Sequence, residues 1–369
     1  MAASQFYPSV PVESVPRQRQ KNGGAFSQGN YSSGQPWSVK VDRVGDLLST
    51  QLALAGSVNT GDTPGTPTAR VRNPASLLGN IKVLVNGKEE FSGMADMLLA
   101  RAQWRRGRNA QLQSAPLLST DLDDASASYD FSAQLPFDFA LGAAGVPYHP
   151  GTLFSQDTPD IEISGTWGTV SDLMTSPGAT QAVAGASLTL TKDFARLKRG
   201  GVGGLTPQQA AMGWGHFRVT QPGGSDVTST GVASFSKDIP GGRAYASIII
   251  RAQAGSVPDA SDVPFQTSGG YIRIKRGSDI LFEQSLAECI ANTQQGFPTS
   301  FDRTGLIVVD MLRAYLPGEQ AILSRVLLSP NGQPLTVEVD ATTTTGAHID
   351  ILTEEYLDPV SSAAQRYGR

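Results

Sequence analysis

Three histidines, one cysteine and a few closely spaced carboxylates are the residues of this 369-residue chain best suited to chemistry. His149 lies in a PYHP loop and His216 and His348 in expected strands, and none has a second histidine at metal-ligand spacing. Cys289 stands alone, which removes an intrachain disulfide and a cysteine-cluster metal site and suits a small buried apolar residue. Asp121, Asp123 and Asp124 in DLDD resemble the start of a calcium loop, but the glycine and distal glutamate of an EF-hand are missing, so a solvated loop is expected. Asp160 with Glu162, or Glu354 with Glu355, would serve glycoside hydrolysis only if folding set the two carboxyls at a fixed separation across one bond. There is no GxSxG elbow, Walker loop or HExxH, and GGVGG near residue 200 lacks the strand, helix and acidic partner of a dinucleotide site. No catalytic residue, cofactor or metal is therefore expected.

The densest positive patch is Arg101, Arg105, Arg106 and Arg108 around Trp104. Cations there either complement the C-terminal dipole of a short helix or contact an acidic neighbouring subunit or lipid phosphates. Arg17, Arg19 and Lys21 fit the second role, since each basic residue near an anionic leaflet contributes about 1 kcal/mol. The net charge of -4 provides no overall basic field, so no specific nucleic-acid binding is expected. Four Trp and nine Tyr are few for a carbohydrate-binding surface.

The elements that must position these residues are mostly strands. Forty Gly, 23 Pro and only 17% charged residues favour an all-β chain, and 369 residues suit two domains. MAASQFYPSV has no charged head before an apolar core, so no secretory signal is expected, and no apolar run approaches the length of a membrane helix. Residues 1–36, rich in Ser, Gln, Gly and Pro, read as a flexible arm. WSVKV sets Trp37, Val39 and Val41 on one face, and LLSTQLALAGSV continues with Leu48, Leu52 and Leu54. IKVLVNGKEEF places Asn86-Gly87 in a two-residue type I′ hairpin turn, followed by a short amphipathic helix with Met94, Met97, Leu98 and Ala102 on one face. YDFSAQLPFDF, PDIEISGTW and ASLTLTKDF are further strands.

KRGGVGG marks a linker at 198–210, dividing a first β-domain at 37–197 from a second at 211–358, with a C-terminal tail at 359–369. The second half carries strands at HFRVT, VASFSKDI, YASIIIRA, YIRIK, LIVVD, RVLLS, LTVEV and HIDILTEEY. The halves echo each other. LALAGSV matches RAQAGSV, IKVLVNGKEEF with ADMLLA matches YIRIKRGSDILF with LAECIA, and GASLTLTKDF matches GAHIDILTEEY, where Leu188 and Leu190 correspond to Ile349 and Ile351. Two tandem eight-stranded jelly-roll β-sandwiches with short helices in the loops account for this order.

The layout resembles the double jelly-roll major capsid proteins of tailless, membrane-containing bacterial viruses of the tectivirus and corticovirus type. The resemblance spans about 37–358, through the Gln-rich arm, WSVKV, RNPASLLGNIKVLVNGKEEF, AQLPFDF, YIRIKRG, LIVVDML and HIDILTEEYLDP. It implies two jelly rolls side by side, homotrimers forming pseudo-hexagonal capsomers, and neighbouring capsomers and minor capsid proteins as partners. It also implies a place in the virion after assembly in the host cytoplasm, above an internal lipid membrane, and it brings no catalytic residues. The other classes in view are a secreted or periplasmic double β-sandwich hydrolase acting on glycans and a carbohydrate-binding spike protein.

Overall fold

The computed structural model describes residues 18–21, 26–42, 46–61, 67–70, 72–139, 160–175, 177–178, 180–195, 216–222, 225–226, 231–241, 243–254, 266–311, 327–328, 333–343 and 347–357. Its first half forms β1 (Gln18–Lys21), β2 (Phe26–Ser27), β3 (Pro36–Lys40), β4 (Asp46–Asn59), β5 (Thr68–Ala69), β6 (Asn80–Val85) and β7 (Lys88–Met94). Helix α1 (Ala95–Arg106) follows, then β8 (Gln113–Ala115), β9 (Ser128–Asp138), β10 (Ile161–Thr166), β11 (Met174–Thr175) and β12 (Ala182–Ala195). The second half forms β13 (His216–Thr220), β14 (Ser225–Asp226), β15 (Gly231–Ile239), β16 (Ala244–Ala254), β17 (Gln266–Arg276) and β18 (Asp279–Ser285). Helix α2 (Leu286–Gly296) precedes β19 (Leu306–Asp310), β20 (Leu327–Leu328), β21 (Leu335–Thr343) and β22 (Ala347–Leu357).

One long sheet runs through both halves in the order β19-β16-β22-β13-β7-β6-β10-β3-β2. In the first half it faces the sheet β1-β12-β4-β9-β8, and in the second the sheet β15-β21-β17-β18. The first core sets Trp37, Val39, Ile81, Val83, Phe91 and Ile163 against Leu52, Leu54, Phe131, Leu135, Leu188 and Leu190. The second sets Ile248, Ile250, Ile307, Ile349 and Ile351 against Phe235, Ile272, Ile274, Val337 and Val339. Each set comes from alternate positions along a strand, as the two-residue repeat of side-chain direction requires. The halves join where β13 lies parallel to β7, with Val219 opposite Phe91.

Part of the segment expected to be an arm is built into these sheets. β1 pairs with β12 from Gln18 opposite Phe194 to Lys21 opposite Thr191, and β2 pairs with β3. Tyr31 then anchors the crossing: its amide donates to the Ala186 carbonyl at 2.8 Å, its hydroxyl to the Gly168 carbonyl at 3.2 Å, and its ring meets Trp167 edge-on at 5.5 Å. Composition hides this, because QRQK has no apolar alternation and is held through its backbone along the edge of β12. Residues 1–17, the expected linker at 198–210, the tail at 359–369 and His149 lie outside the described residues.

Two details differ from expectation. Met94 ends β7 rather than opening the helix, and α1 is buried from Ala95 through Trp104 instead of on one face, because the second half covers its other side. The repeat register also shifts. Leu190 lies opposite Leu52 and Ile351 opposite Ile250, so the counterpart of Leu52 is Ile250, whereas aligning LALAGSV with RAQAGSV gives Arg251. A slip of one residue exchanges the two faces of a strand.

The Asn86-Gly87 turn forms as expected, with φ of 52° and 74°. A Cβ at Gly87 would meet nothing within 4 Å, so a substitution there is opposed by the backbone alone. Gly87→Val should cost about 1–3 kcal/mol, the scale of a forced backbone outlier, in a denaturant melt. An unchanged midpoint would show that the turn relaxes to another geometry.

Candidate functional site: the seam between the two halves

β16, β22 and β19 are buried on both faces. Ile248, Ile250, Ile307, Val309, Ile349 and Ile351 point into the second core, while Ile249, Leu306, Val308 and Leu352 point the other way and join the first core. The same outward parity sets Ser247, Arg251, Asp310, Asp350 and Glu354 on that second face. Helix α1 lies against it and brings Asp96, Arg101, Trp104 and Arg105.

Glu354, 1% exposed as a side chain, is the centre of one half of the seam. Arg101 donates to its Oε1 from Nε at 2.9 Å and from Nη2 at 2.5 Å, and Arg105 donates to its Oε2 from Nε at 2.8 Å. Ser247 Oγ donates to the same Oε2 at 2.8 Å. Asp310 Oδ2 accepts from Trp104 Nε1 at 2.6 Å and from Arg105 Nη1 at 3.0 Å. The Arg101 guanidinium also sits 5.4 Å from the Phe91 ring centroid, a cation–π contact.

Arg251 is the centre of the other half. It bonds Asp96 of α1 through Nη1 and Asp350 through Nη2 at 2.6 Å. Gln221 extends the network, donating to Asp350 Oδ1 at 3.2 Å and accepting from the Met94 amide at 2.9 Å. Asp350 Oδ1 also lies 3.2 Å from His348 Nε2. Arg72 reaches from the first half to the carbonyls of Asp302 and Thr304 at 3.4 and 3.2 Å. At the end of α1, Trp104 meets Phe297 edge-on at 5.3 Å, and Phe297 stacks on Phe301 at 4.8 Å. A Cβ on Gly296 would lie 1.8 Å from the Trp104 ring, so this approach requires glycine.

Burial pushes the Glu354 carboxyl up, but the Arg101 and Arg105 guanidiniums outweigh it and hold the group at about 2. Asp96 is likewise held below its ordinary value by Arg251 and Arg72 against the opposing effect of burial. Burial lowers Arg72 to about 10, with Asp96 opposing and Arg251 reinforcing the fall. Glu355 faces the other side of β22, where burial raises it despite its bond to Arg243.

The residues singled out from the sequence are thus distributed as follows. Arg101 and Arg105 meet acidic groups within their own chain, and Arg106 pairs with Asp138 at 2.7 Å. Arg108 is exposed, and Arg19 and Lys21 lie in β1 beside Arg17, which is outside the described residues. Cys289 is buried, its thiol pushed up to about 12 by burial and donating to Gln284 Oε1 at 3.3 Å. Asp124 accepts from the Tyr129 hydroxyl at 2.6 Å, and Asp160 lies 3.7 Å from Lys40. Glu354 and Glu355, adjacent on one strand, point to opposite faces and do not flank a common bond. Among the described residues no three His, Cys, Asp or Glu side chains gather to hold a metal ion. Sequence reading missed Asp96, Arg251, Asp310 and Asp350, whose signal is a charge at an alternate position within an apolar strand or buried helix.

Glu354→Gln leaves two guanidiniums without their carboxylate in a buried seam, which should cost about 3–5 kcal/mol at neutral pH in a denaturant titration. The Glu354 value in the fold lies below that of the unfolded chain, so its stabilisation is present above about 4.5 and is lost as pH falls toward about 2. Glu355, raised in the fold, works in the opposite sense by taking up its proton early. The unsubstituted protein should therefore lose more stability across that window than Glu354→Gln, and equal losses would place the acid-sensitive group elsewhere.

No family model and no curated protein matches this sequence. Solved structures match along nearly the full chain. The MCP of STIV, the Sulfolobus Turreted Icosahedral Virus, is 14% identical with a TM-score of 0.67, covering 94% of this chain and 98% of that one. The major capsid protein P2 from bacteriophage PM2 is 12% identical at a TM-score of 0.53, covering 93% and 98%. The Faustovirus major capsid protein is 9% identical at 0.53, covering 96% and 91%. The likeness covers both sandwiches: this chain has the double jelly-roll fold of those viral major capsid proteins.

Proposed function

We propose that the chain is the major capsid protein of an icosahedral virus, a structural rather than catalytic component of the virion. The observation that carries this reading is the seam, which fixes two sandwiches of like build side by side in one rigid chain. Three such chains around a threefold axis present six similar units, the shape that tiles a hexagonal lattice. Neighbouring capsomers and minor capsid proteins are the partners this reading requires, with assembly in the host cytoplasm. Residues 1–17 are proposed to lead into the particle interior, so that Arg17, with Arg19 and Lys21 of the adjoining β1, meets an internal membrane or an acidic neighbour. Exposed Arg108 is available for a similar contact.

Light scattering of the purified chain should give a particle of three times 38.9 kDa, and electron microscopy should show hexagonal outlines. A stable monomer at micromolar concentration would overturn the reading.

A further inference from the structure

β4 and β16 each begin with a bulge at the same place. The register skips between Leu47 and Ser49 against Phe194 and Asp193, and between Tyr245 and Ser247 against Glu355 and Glu354. The pair Leu47–Phe194 of the first half is therefore the counterpart of Tyr245–Glu355 in the second. All four side chains are buried. A position that one half fills with leucine and phenylalanine needs no charge in order to fold, so the ionisable pair in the other half is not demanded by the architecture.

Glu355 is 0% exposed. Arg243, in the connection between β15 and β16, bonds its Oε1, and Thr220 of β13 donates to the same oxygen at 3.4 Å. Tyr245 lies opposite, its hydroxyl donating to the Pro240 carbonyl at 2.5 Å and kept protonated by burial and by Glu355, against Arg243. Arg218 of β13 faces the carboxyl as well, but has Glu90 of β7 at 3.6 Å. Oε2 is buried and no described residue hydrogen-bonds to it, so half of the carboxylate has lost its water and gained no donor. A proton has an open place there. Burial holds the carboxyl above its ordinary value against the opposing effects of Arg243, Arg218 and Thr220. The Arg243 side chain is itself 30% exposed, and Glu355 is its one ion-pair partner among the described residues.

We infer that Glu355 is a proton-operated latch: ionised, it holds Arg243 against the end of the second sandwich, and protonated, it releases that guanidinium to water. A neutral carboxyl keeps only an ordinary hydrogen bond, about half as strong as the charge-assisted one it replaces, whereas the guanidinium regains its full hydration outside. Weak acid thus turns a buried neutral pair into an exposed cation. The first half has no such device. Its corresponding connection is fixed by Lys192, whose Nζ donates to the Asp42 carbonyl at 2.5 Å, an acceptor that takes up no proton in weak acid. The fold binds the Glu355 proton more tightly than the unfolded chain does, so the stability tied to this group is full below 4.5 and is lost as pH rises through the raised value. Release of Arg243 is therefore not the onset of unfolding.

The test is nuclear magnetic resonance of the full chain with nitrogen-labelled arginine, the Arg243 side-chain signal being assigned by its loss in Arg243→Lys. Exchange of the Arg243 Nε proton, corrected for the intrinsic effect of pH, should rise about tenfold between neutral pH and 4.5, as a charge-assisted bond gives way to a neutral one. Glu355→Gln should exchange fast at every pH in that window. Tyr245→Leu combined with Glu355→Phe copies the pair of the first half and should do the same, so the latch remains testable even if Glu355→Gln fails to fold. Glu354, held at about 2, stays ionised throughout and leaves the seam closed. Exchange that stays flat across the window in the unsubstituted chain, or a rise with acid that persists in either variant, would overturn the latch.

Discussion

Everything in this fold is conditioned by three strands, β16, β22 and β19, that have no solvent face. A strand buried on one side needs apolar residues at every second position; one buried on both needs them, or satisfied polar groups, at every position. Ile249, Leu306, Val308 and Leu352 supply apolar contact on the second face. They are non-directional and would tolerate several placements of α1. The ion pairs would not. Arg251 between Asp96 and Asp350, and Glu354 between Arg101 and Arg105, are paired only when the helix sits at one height and rotation over the sheet. Buried pairs of this kind add little net stability over apolar residues of equal volume, but they make each wrong placement cost several kcal/mol.

The long sheet gives the same constraint a second expression. β13 meets β7 in parallel, so the sheet passes from one half to the other without an edge between them. The face that points into the first core on one side of this junction points toward α1 on the other, which is why residues of the second half belong to the first half's core. At the far edge of the first sandwich, β1 covers the open side of β12. A long strand left unpaired there would offer its amides to any other chain.

What the sequence discloses follows from range. Asn86-Gly87 and the helix after it are local, and the residues concerned carry their own instructions. The cluster Arg101, Arg105, Arg106 and Arg108 is visible as a patch, but the carboxylate that answers Arg101 is 253 residues away in the chain. IIIR and HIDIL each contain a charge that breaks an apolar strand, and such a charge must be paired if the strand has two buried faces. Nothing local says that it has two. The internal repeat is legible from GASLTLTKDF and GAHIDILTEEY, whereas AGSV recurs with a one-residue offset because its residues are common throughout the chain and its match was not anchored by pairing. β1 escapes notice since its place is set by the free edge of β12 and not by its own side chains.

The two halves depart from equivalence where their tasks differ. The end of α2 is already committed within the chain, because Gly296 and Phe297 form the bed on which Trp104 of α1 rests. The outward positions of α2 at Ala287, Ala291, Gln294 and Gln295 remain exposed, where α1 buries Asp96, Ala100, Gln103 and Trp104. A contact made once, during folding, can include charges whose desolvation is offset by pairing in the same cooperative step. The difference in composition between two helices of like position therefore follows from what covers them within the chain: where α1 carries Asp96, Arg101 and Arg105 to pair across the seam, α2 carries Ala287, Asn292 and Gly296.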